Sequence, residues 1–449
     1  MDELKEKYGL FTAIAMVVGI VIGSGVFFKA EKVLQATNGN VMMGIAAWII
    51  GGVIMIINAY TFSVLASNHH NKEGLIGFAE KEVGGRYSFY IGWFMSIIYY
   101  PTLTSVLAWL SARYVGVLFG LDIVGSEVMT LAGFFLIASF CVNALAPKIA
   151  GHFQVTTTII KLIPLVIMAV AGTIYGLVNG VMIENFHQTI SSDVSGNPLF
   201  TAVVATAFAY EGWIVATSIN GEIKNSKRNL PLALLIGTVV ILIVYVVYYL
   251  GFVGAVPTNV IMESGEKGAR LAFETIFGSV GGTMLFVFIV ISCLGTLNGL
   301  MLGCTRGLYA ISNKGINIGK GMFGKIDNYS NMPSNSAIVG LFLSAFWLVY
   351  FYGANLSTKS WFGYFSFDSS ELPIVTIYGL YIPIFLMMII KEKELGIFSR
   401  FVMPILSIIS CLFMIIACVF SHGTLVLFYM IVFIVIMSLG IFISSKSSK

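Results

Sequence analysis

Twelve stretches of this chain are long and apolar enough to cross a bilayer, and that restricts what the backbone can do. Lipid offers no partner to a peptide N–H or C=O, so a spanning helix must satisfy its own backbone hydrogen bonds. About 20 apolar residues cover the hydrocarbon core. Such stretches read at about 9–36, 41–67, 86–118, 127–146, 151–178, 198–221, 231–256, 280–311, 335–353, 371–390, 400–420 and 424–444. Of the 449 residues, 58% are hydrophobic and 10% charged, where a soluble protein carries roughly 25% charged residues. The expected class is an all-α, polytopic membrane protein of twelve spans in a lipid bilayer.

The basic residues set the expected orientation. Of the 25 lysines and arginines, 18 fall on the side of the chain ends and five on the other, these being Lys29, Lys32, Lys267, Arg270 and Lys359. Arg113 and Lys161 lie inside spans. Cytoplasmic loops carry the excess of Lys and Arg, so both termini are expected in the cytoplasm. The first stretch is longer than a signal-peptide core and is expected to be retained. The five cysteines sit in apolar segments without a CxxC pair, so no disulfide framework is expected. No linker or low-complexity stretch divides the chain. One domain is expected, with 9–178 and 198–390 as two halves and 400–444 as two further helices.

Two spans are interrupted at mid-membrane. Span 1 reads GIVIGSGVFF from Gly19 to Phe28, and span 6 reads FAYEGW from Phe208 to Trp213. Such a break survives only where protein or a cavity replaces the lost partners. Five spans separate the two starts, so the broken helices cross in opposite directions, as in an inverted repeat of spans 1–5 and 6–10. Glycine lets backbone open and approach a ligand. A half-helix starting at Gly23, Ser24 and Gly25 presents free N–H groups to a carboxylate. Phe208, Ala209 and Tyr210 close the other half-helix, where carbonyls can meet an ammonium. Donors beside acceptors suit a zwitterion such as an amino acid. The candidate substrate-binding set is Ile22, Gly23, Ser24, Gly25, Val26, Phe208, Ala209, Tyr210, Glu211 and Gly212. Gly19-xxx-Gly23 also reads as a helix-packing motif. Glu211 reads as a substrate contact, a titrating group or a cap for the second half-helix, and these stay open.

Lys161 is the sharper signal. It lies about ten residues inside span 5, too deep to snorkel, where a charge costs at least a few kcal/mol and marks a cavity or partner. A fixed ammonium there can take the place of a bound sodium ion and hold span 5 to the span 1 break. Arg113 reads as an interfacial residue. Tyr99, Tyr100 and Pro101 mark a kink in span 3, with the tyrosines read as packing. The 258–278 segment is too polar to span and reads as a short lid helix. No catalytic constellation, metal-ligand cluster or Walker motif is present, so neither an enzyme nor a cofactor is expected.

Together these residues resemble the amino acid–polyamine–organocation superfamily, within it the L-type amino acid transporter group and bacterial Ser/Thr and Ala/Ser/Cys exchangers. The marks are GIVIGSGVF, KLIPL at Lys161, FAYEGW, GEIKNSKRNLP, CLGTLNG and TRGLYAIS. The resemblance implies a LeuT-like fold of twelve helices with a five-plus-five inverted repeat. It also implies sodium-independent exchange of small or medium neutral L-amino acids. The carboxylate site falls on Gly23, Ser24 and Gly25, the amine site around Phe208, Ala209 and Glu211, with Phe208 as gate and Lys161 as coupling residue. Proton symport and cationic amino acid or polyamine antiport are the alternatives. Residues 119–126 hold no cysteine, so no disulfide-linked heavy chain is expected and a stand-alone transporter of a bacterial inner membrane is.

Overall fold

A computed structural model describes residues 6, 8–68, 74–187, 197–264, 267–312, 320–328 and 330–447. Among these, eleven helices are long and apolar enough to span a membrane, and a bent pair makes the twelfth. The bent pair, Leu10–Val21 and Gly25–Ala36, is span 1, with its halves at 43°. Spans 2 to 6 are Val41–Asn68, Gly85–Phe119, Ser126–Leu145, Ile149–Val178 and Pro198–Glu222. Spans 7 to 12 are Ser226–Ala255, Gly268–Ser312, Ser334–Leu356, Leu372–Lys391, Phe398–His422 and Leu425–Ile443. An even count returns the chain to the face it started from, called here the terminal face. The segment 258–278 is more ordered than a single lid. It forms a short helix, Thr258–Ser264, and then the first turns of span 8, which bend at Gly278 (φ 70°).

Burial sorts the spans into a core and a lipid-facing shell. The most apolar windows of spans 3, 6 and 8 are 72% buried, against 28% for span 4 and 11% for span 12. Spans 1, 3, 6 and 8 therefore meet at the centre. Lipid is no less apolar than leucine, so close fit and hydrogen bonds must hold this core together. Spans 5 and 7 supply the fit. A Cβ on Gly251 would lie 2.1 Å from the Met168 carbonyl oxygen, and one on Gly172 would lie 2.2 Å from that of Gly251. Only glycine allows that approach.

Span 3 shows how a local sequence signal is answered from afar. Pro101 has no N–H, so the Ile97 carbonyl four residues earlier loses its usual donor. Trp347 of span 9 donates to it at 2.8 Å. The turn just before, Met95–Tyr99, widens into a π-helix. Such bulges redirect side chains and recur at functional sites. This one aims Tyr99 at the span 6 break.

The glycine seam sets a stability test. Gly251→Val forces spans 5 and 7 apart and should cost about 1–3 kcal/mol, the usual penalty of overpacking. Thermal unfolding in detergent would show this as a lowered midpoint, whereas an unchanged midpoint would mean the seam is not under close contact.

Candidate functional site

The first half of span 1 ends at Val21, and Ile22 is extended (φ −72°, ψ 94°). The second half starts at Gly25, and its first backward bond runs from Phe27 N to Ser24 O at 3.1 Å. The Gly25 and Val26 N–H groups lie ahead of that bond, where a helix has no carbonyl of its own to offer. Span 6 ends its α-helix at Tyr210, Glu211 is extended, Gly212 takes φ 107°, and a 3-10 helix runs from Trp213 to Glu222. A Cβ on Gly212 would meet Ile20 at 2.9 Å, and one on Gly25 would meet Ala209 Cα at 2.8 Å. The two breaks thus touch through backbone.

Polar side chains satisfy the opened backbone. The Lys161 ammonium is fully buried and donates to the Gly19 and Ile22 carbonyls, at 2.6 Å each, and to Thr296 Oγ1 at 3.3 Å. Thr296 Oγ1 lies 3.2 and 3.1 Å from the same carbonyls, and Ser292 Oγ lies 3.3 Å from Ile22 O and 3.2 Å from Gly23 O. Two carbonyls and the Thr296 hydroxyl thus surround the cationic head, with Ser292 Oγ on the neighbouring carbonyls. Tyr245 of span 7 places its hydroxyl 3.2 Å from Val21 O and 3.0 Å from Ala209 O, one carbonyl from each break. Sequence reading had no signal for Tyr245, because nothing local distinguishes it among 20 tyrosines and 35 phenylalanines.

A narrow cavity lies between the breaks. Gly23, Ser24, Gly25, Phe208, Glu211 and Gly212 of the sequence-derived set border it, with Leu103, Leu107 and Leu300 as apolar wall. Ile22 and Ala209 act instead through their carbonyls, toward Lys161 and Tyr245. Val26 is buried in the core. The Tyr210 side chain turns the other way. Its ring stacks edge-on against Trp48 and its hydroxyl donates to the Trp48 carbonyl at 2.9 Å, away from the cavity. The cause is helical geometry, since Tyr210 lies two residues from Phe208 and so on a different face. Glu211 closes the α-helical half of span 6 as its extended C-cap residue. Its Oε1 accepts from the Tyr99 hydroxyl, and its Oε2 finds no side-chain partner among the described residues. Tyr99 therefore belongs to the site rather than to general packing.

Phe208 is shared by this cavity and by a wider vestibule of about 940 Å³ on the face opposite the termini. Lys29, Lys32, Arg113, Asp368 and Glu371 line that vestibule. Lys29 sits 5.4 Å from the Phe208 ring centroid and pairs with Glu371, whose other oxygen meets His422 Nε2 at 3.2 Å. Burial disfavours the Glu371 charge, but Lys29 and His422 outweigh it and hold this carboxyl well below the usual range. Arg113 lies 5.1 Å over Trp109 and lines the vestibule, a more specific place than a snorkelling residue takes. Asp368, Glu371 and His422 bring metal-type ligand atoms within 4.8 Å, a grouping invisible along the sequence. Both Glu371 oxygens are engaged, so ion pairing accounts for it.

Toward the terminal face the path is closed by a buried ion pair. Arg306 of TRGLYAIS reaches Glu222 of GEIKNSKRNLP at 2.6 Å, with both side chains at most 3% exposed. The Tyr8 backbone pairs with the 222–224 segment there, Tyr8 N donating to Glu222 O at 3.0 Å and Lys224 N to Tyr8 O at 2.9 Å.

Comparisons with known proteins give the family and the fold. A family model described as amino acid permease matches residues 8–444. The serine/threonine exchanger SteT of Bacillus subtilis is 31% identical over 314 residues, 70% of this chain and 69% of that protein. The aspartate-proton symporter of Bacillus subtilis is 26% identical over 370 residues, 78% of this chain and 68% of that protein. Among solved structures, that of MhsT in complex with L-phenylalanine superposes with a TM-score of 0.60 at 15% identity, covering 92% of this chain and 99% of that one. The fold is therefore the LeuT-like one, with its five-plus-five inverted repeat and broken first and sixth helices.

The buried ion pair is open to a double-mutant test. Arg306→Met alone strands the Glu222 charge and should cost about 3–5 kcal/mol, whereas pairing it with Glu222→Met removes the stranded charge and should recover most of that loss. Thermal midpoints of both single variants and the double variant, in the same micelles, measure the coupling.

Proposed function

The chain belongs to the amino acid permease family, and on that premise we propose that it is a sodium-independent exchanger of small or medium neutral L-amino acids. The single observation that carries this reading is the Lys161 ammonium among these oxygens. Two carbonyls and a hydroxyl are oxygen ligands of the kind that hold a hard monovalent cation. Here a covalently tethered charge occupies that place, so span 5 is fastened to the span 1 break without an ion that must be taken up and released. Without a coupled ion only substrate gradients drive the carrier, and the relation to a serine/threonine exchanger favours loaded return, which is exchange.

The substrate's carboxylate meets the N–H groups at the start of the Gly25 half-helix, favoured by the dipole end there. Its ammonium meets carbonyls at the span 6 break and Glu211. The cavity's narrowness and leucine wall favour a short side chain. Phe208 is the gate toward the vestibule, backed by Lys29 and Glu371, and the Arg306–Glu222 pair closes the opposite route. Alternating access opens one closure at a time. The basic bias supports a cell membrane location with both termini cytoplasmic, and the external linker between spans 3 and 4 supports a stand-alone chain, without a disulfide-linked heavy chain. Residues 9–178, 198–390 and 400–444 form one transport domain in this reading.

A second reading, proton-coupled symport, draws on Glu211, a buried carboxyl held by Tyr99 with one oxygen toward the cavity. Counterflow of each labelled amino acid in proteoliposomes separates the two. The expected result is exchange of serine, threonine or alanine that is unchanged by removing sodium and needs substrate inside. Uptake driven by a pH gradient into empty vesicles would favour symport, and sodium-driven uptake would overturn the exchanger. Strong competition by arginine would move the assignment to cationic substrates. Lys161→Ala should lower the exchange rate by about tenfold or more, equivalent to about 1.4 kcal/mol or more on the barrier. Full activity in that variant would remove Lys161 from the mechanism.

A further inference from the structure

Spans 9 and 10 are joined on the vestibule face by a segment in which residues 357–366 read STKSWFGYFS. Its four aromatic side chains are exposed, Tyr364 at 77% and Trp361 at 56%, with Phe362 and Phe365 beside them. The other five tryptophans of the chain are at most 9% exposed. A cluster of large apolar groups left open in this way marks a surface that meets something other than water.

The segment is held at a definite height. Trp361 N donates to Gly353 O at 3.0 Å, and the indole lies so close on Gly353 that no Cβ would fit there. Gly353 belongs to the π-helical last turn of span 9, Tyr352–Leu356. On the other side, Tyr364 stacks on Phe428 and Phe365 meets it edge-on, each with ring centroids 5.4 Å apart. Phe428 lies in the first turn of span 12, which starts at Leu425. The Tyr350 hydroxyl donates to Phe365 O at 2.6 Å and accepts from Phe367 N at 3.1 Å, and Ser360 and Ser366 close the loop on itself. All the outer contacts are with the end turns of spans, so the segment lies beside those ends and not above them. Span 9 has 23 residues, a rise of about 35 Å. That slightly exceeds a hydrocarbon core of about 30 Å, which puts its last turn at the membrane boundary.

The neighbouring surfaces face lipid. Phe342, Phe346 and Val349 of span 9 are exposed, as are Leu427, Ile431 and Ile434 of span 12, whose apolar window is only 11% buried. The aromatic cluster continues that apolar band to its edge. Tryptophan and tyrosine concentrate at this depth because the ring is apolar while its N–H or O–H can stay wet. Lys359, the one charged residue in 357–366, has the sign that lipid phosphate attracts. We infer that residues 357–366 are an interfacial anchor, seated in the headgroup zone of the leaflet on the vestibule face. Its partner is phospholipid, met by Trp361 and Tyr364 at the glycerol level. Asp368 and Glu371 of the vestibule wall follow directly in the chain, so the acidic side of the outer closure starts from this anchor.

Tryptophan fluorescence of the full chain in phosphatidylcholine nanodiscs tests this, and needs neither substrate nor sidedness. Subtracting the signal of Trp361→Phe, which keeps an apolar ring in place, isolates the one exposed tryptophan. Lipid brominated near the glycerol end of its acyl chains should quench this difference signal about twofold or more strongly than lipid brominated near the chain ends. Iodide in the water should quench it far less than it quenches free N-acetyltryptophanamide. Full access to iodide with no effect of brominated lipid would overturn the anchor and leave the segment in water. Equal or stronger quenching from the chain ends would overturn it by placing Trp361 in the hydrocarbon. Protection from both quenchers would overturn it as well, since a second copy of the chain would then cover this face.

Discussion

An ammonium buried at mid-membrane against two backbone carbonyls is the contact on which the rest of this molecule depends. Opening span 1 exposes carbonyls that lipid cannot satisfy, and opening it without replacement would cost several kcal/mol per group. Lys161 supplies the replacement from span 5, and Thr296 and Ser292 supply more from span 8. The cost of hiding a charge and the cost of breaking a helix offset each other at one point. Neither the open backbone of span 1 nor the lysine of span 5 would be stable there alone.

The same bargain recurs away from the centre. Tyr245 covers a carbonyl from each break, Trp347 covers the one that Pro101 leaves open, and Arg306 and Glu222 neutralise each other below the site. Each closes a local defect with a side chain from a distant span. Positions that look like defects along the chain are where the spans are tied together.

That pattern explains what could be read from the residues. The twelve spans, the two breaks and the depth of Lys161 were legible because hydropathy and helix-breaking are local properties. The carbonyls near Lys161 were legible too, since a buried ammonium needs acceptors and the nearest irregular backbone was already known. Tyr99 was misjudged, because its importance comes from a π turn that widens span 3 by part of a residue. The direction of the Tyr210 ring was not legible, because a motif places neighbouring residues together whereas a helix sends them to different faces. The Lys29–Glu371 pair, 342 residues apart, had no sequence signal at all, since single residues at that separation carry no shared period.

Tyr245 carries one proton and faces two acceptors. If the halves of spans 1 and 6 part company, the hydroxyl can follow either one and still keep a bond. The separation then strands a single carbonyl rather than a hydroxyl and two carbonyls. A shared proton of this kind works as a hand-over between two moving parts, and it lets the centre of the molecule come apart by small steps rather than in one large rupture.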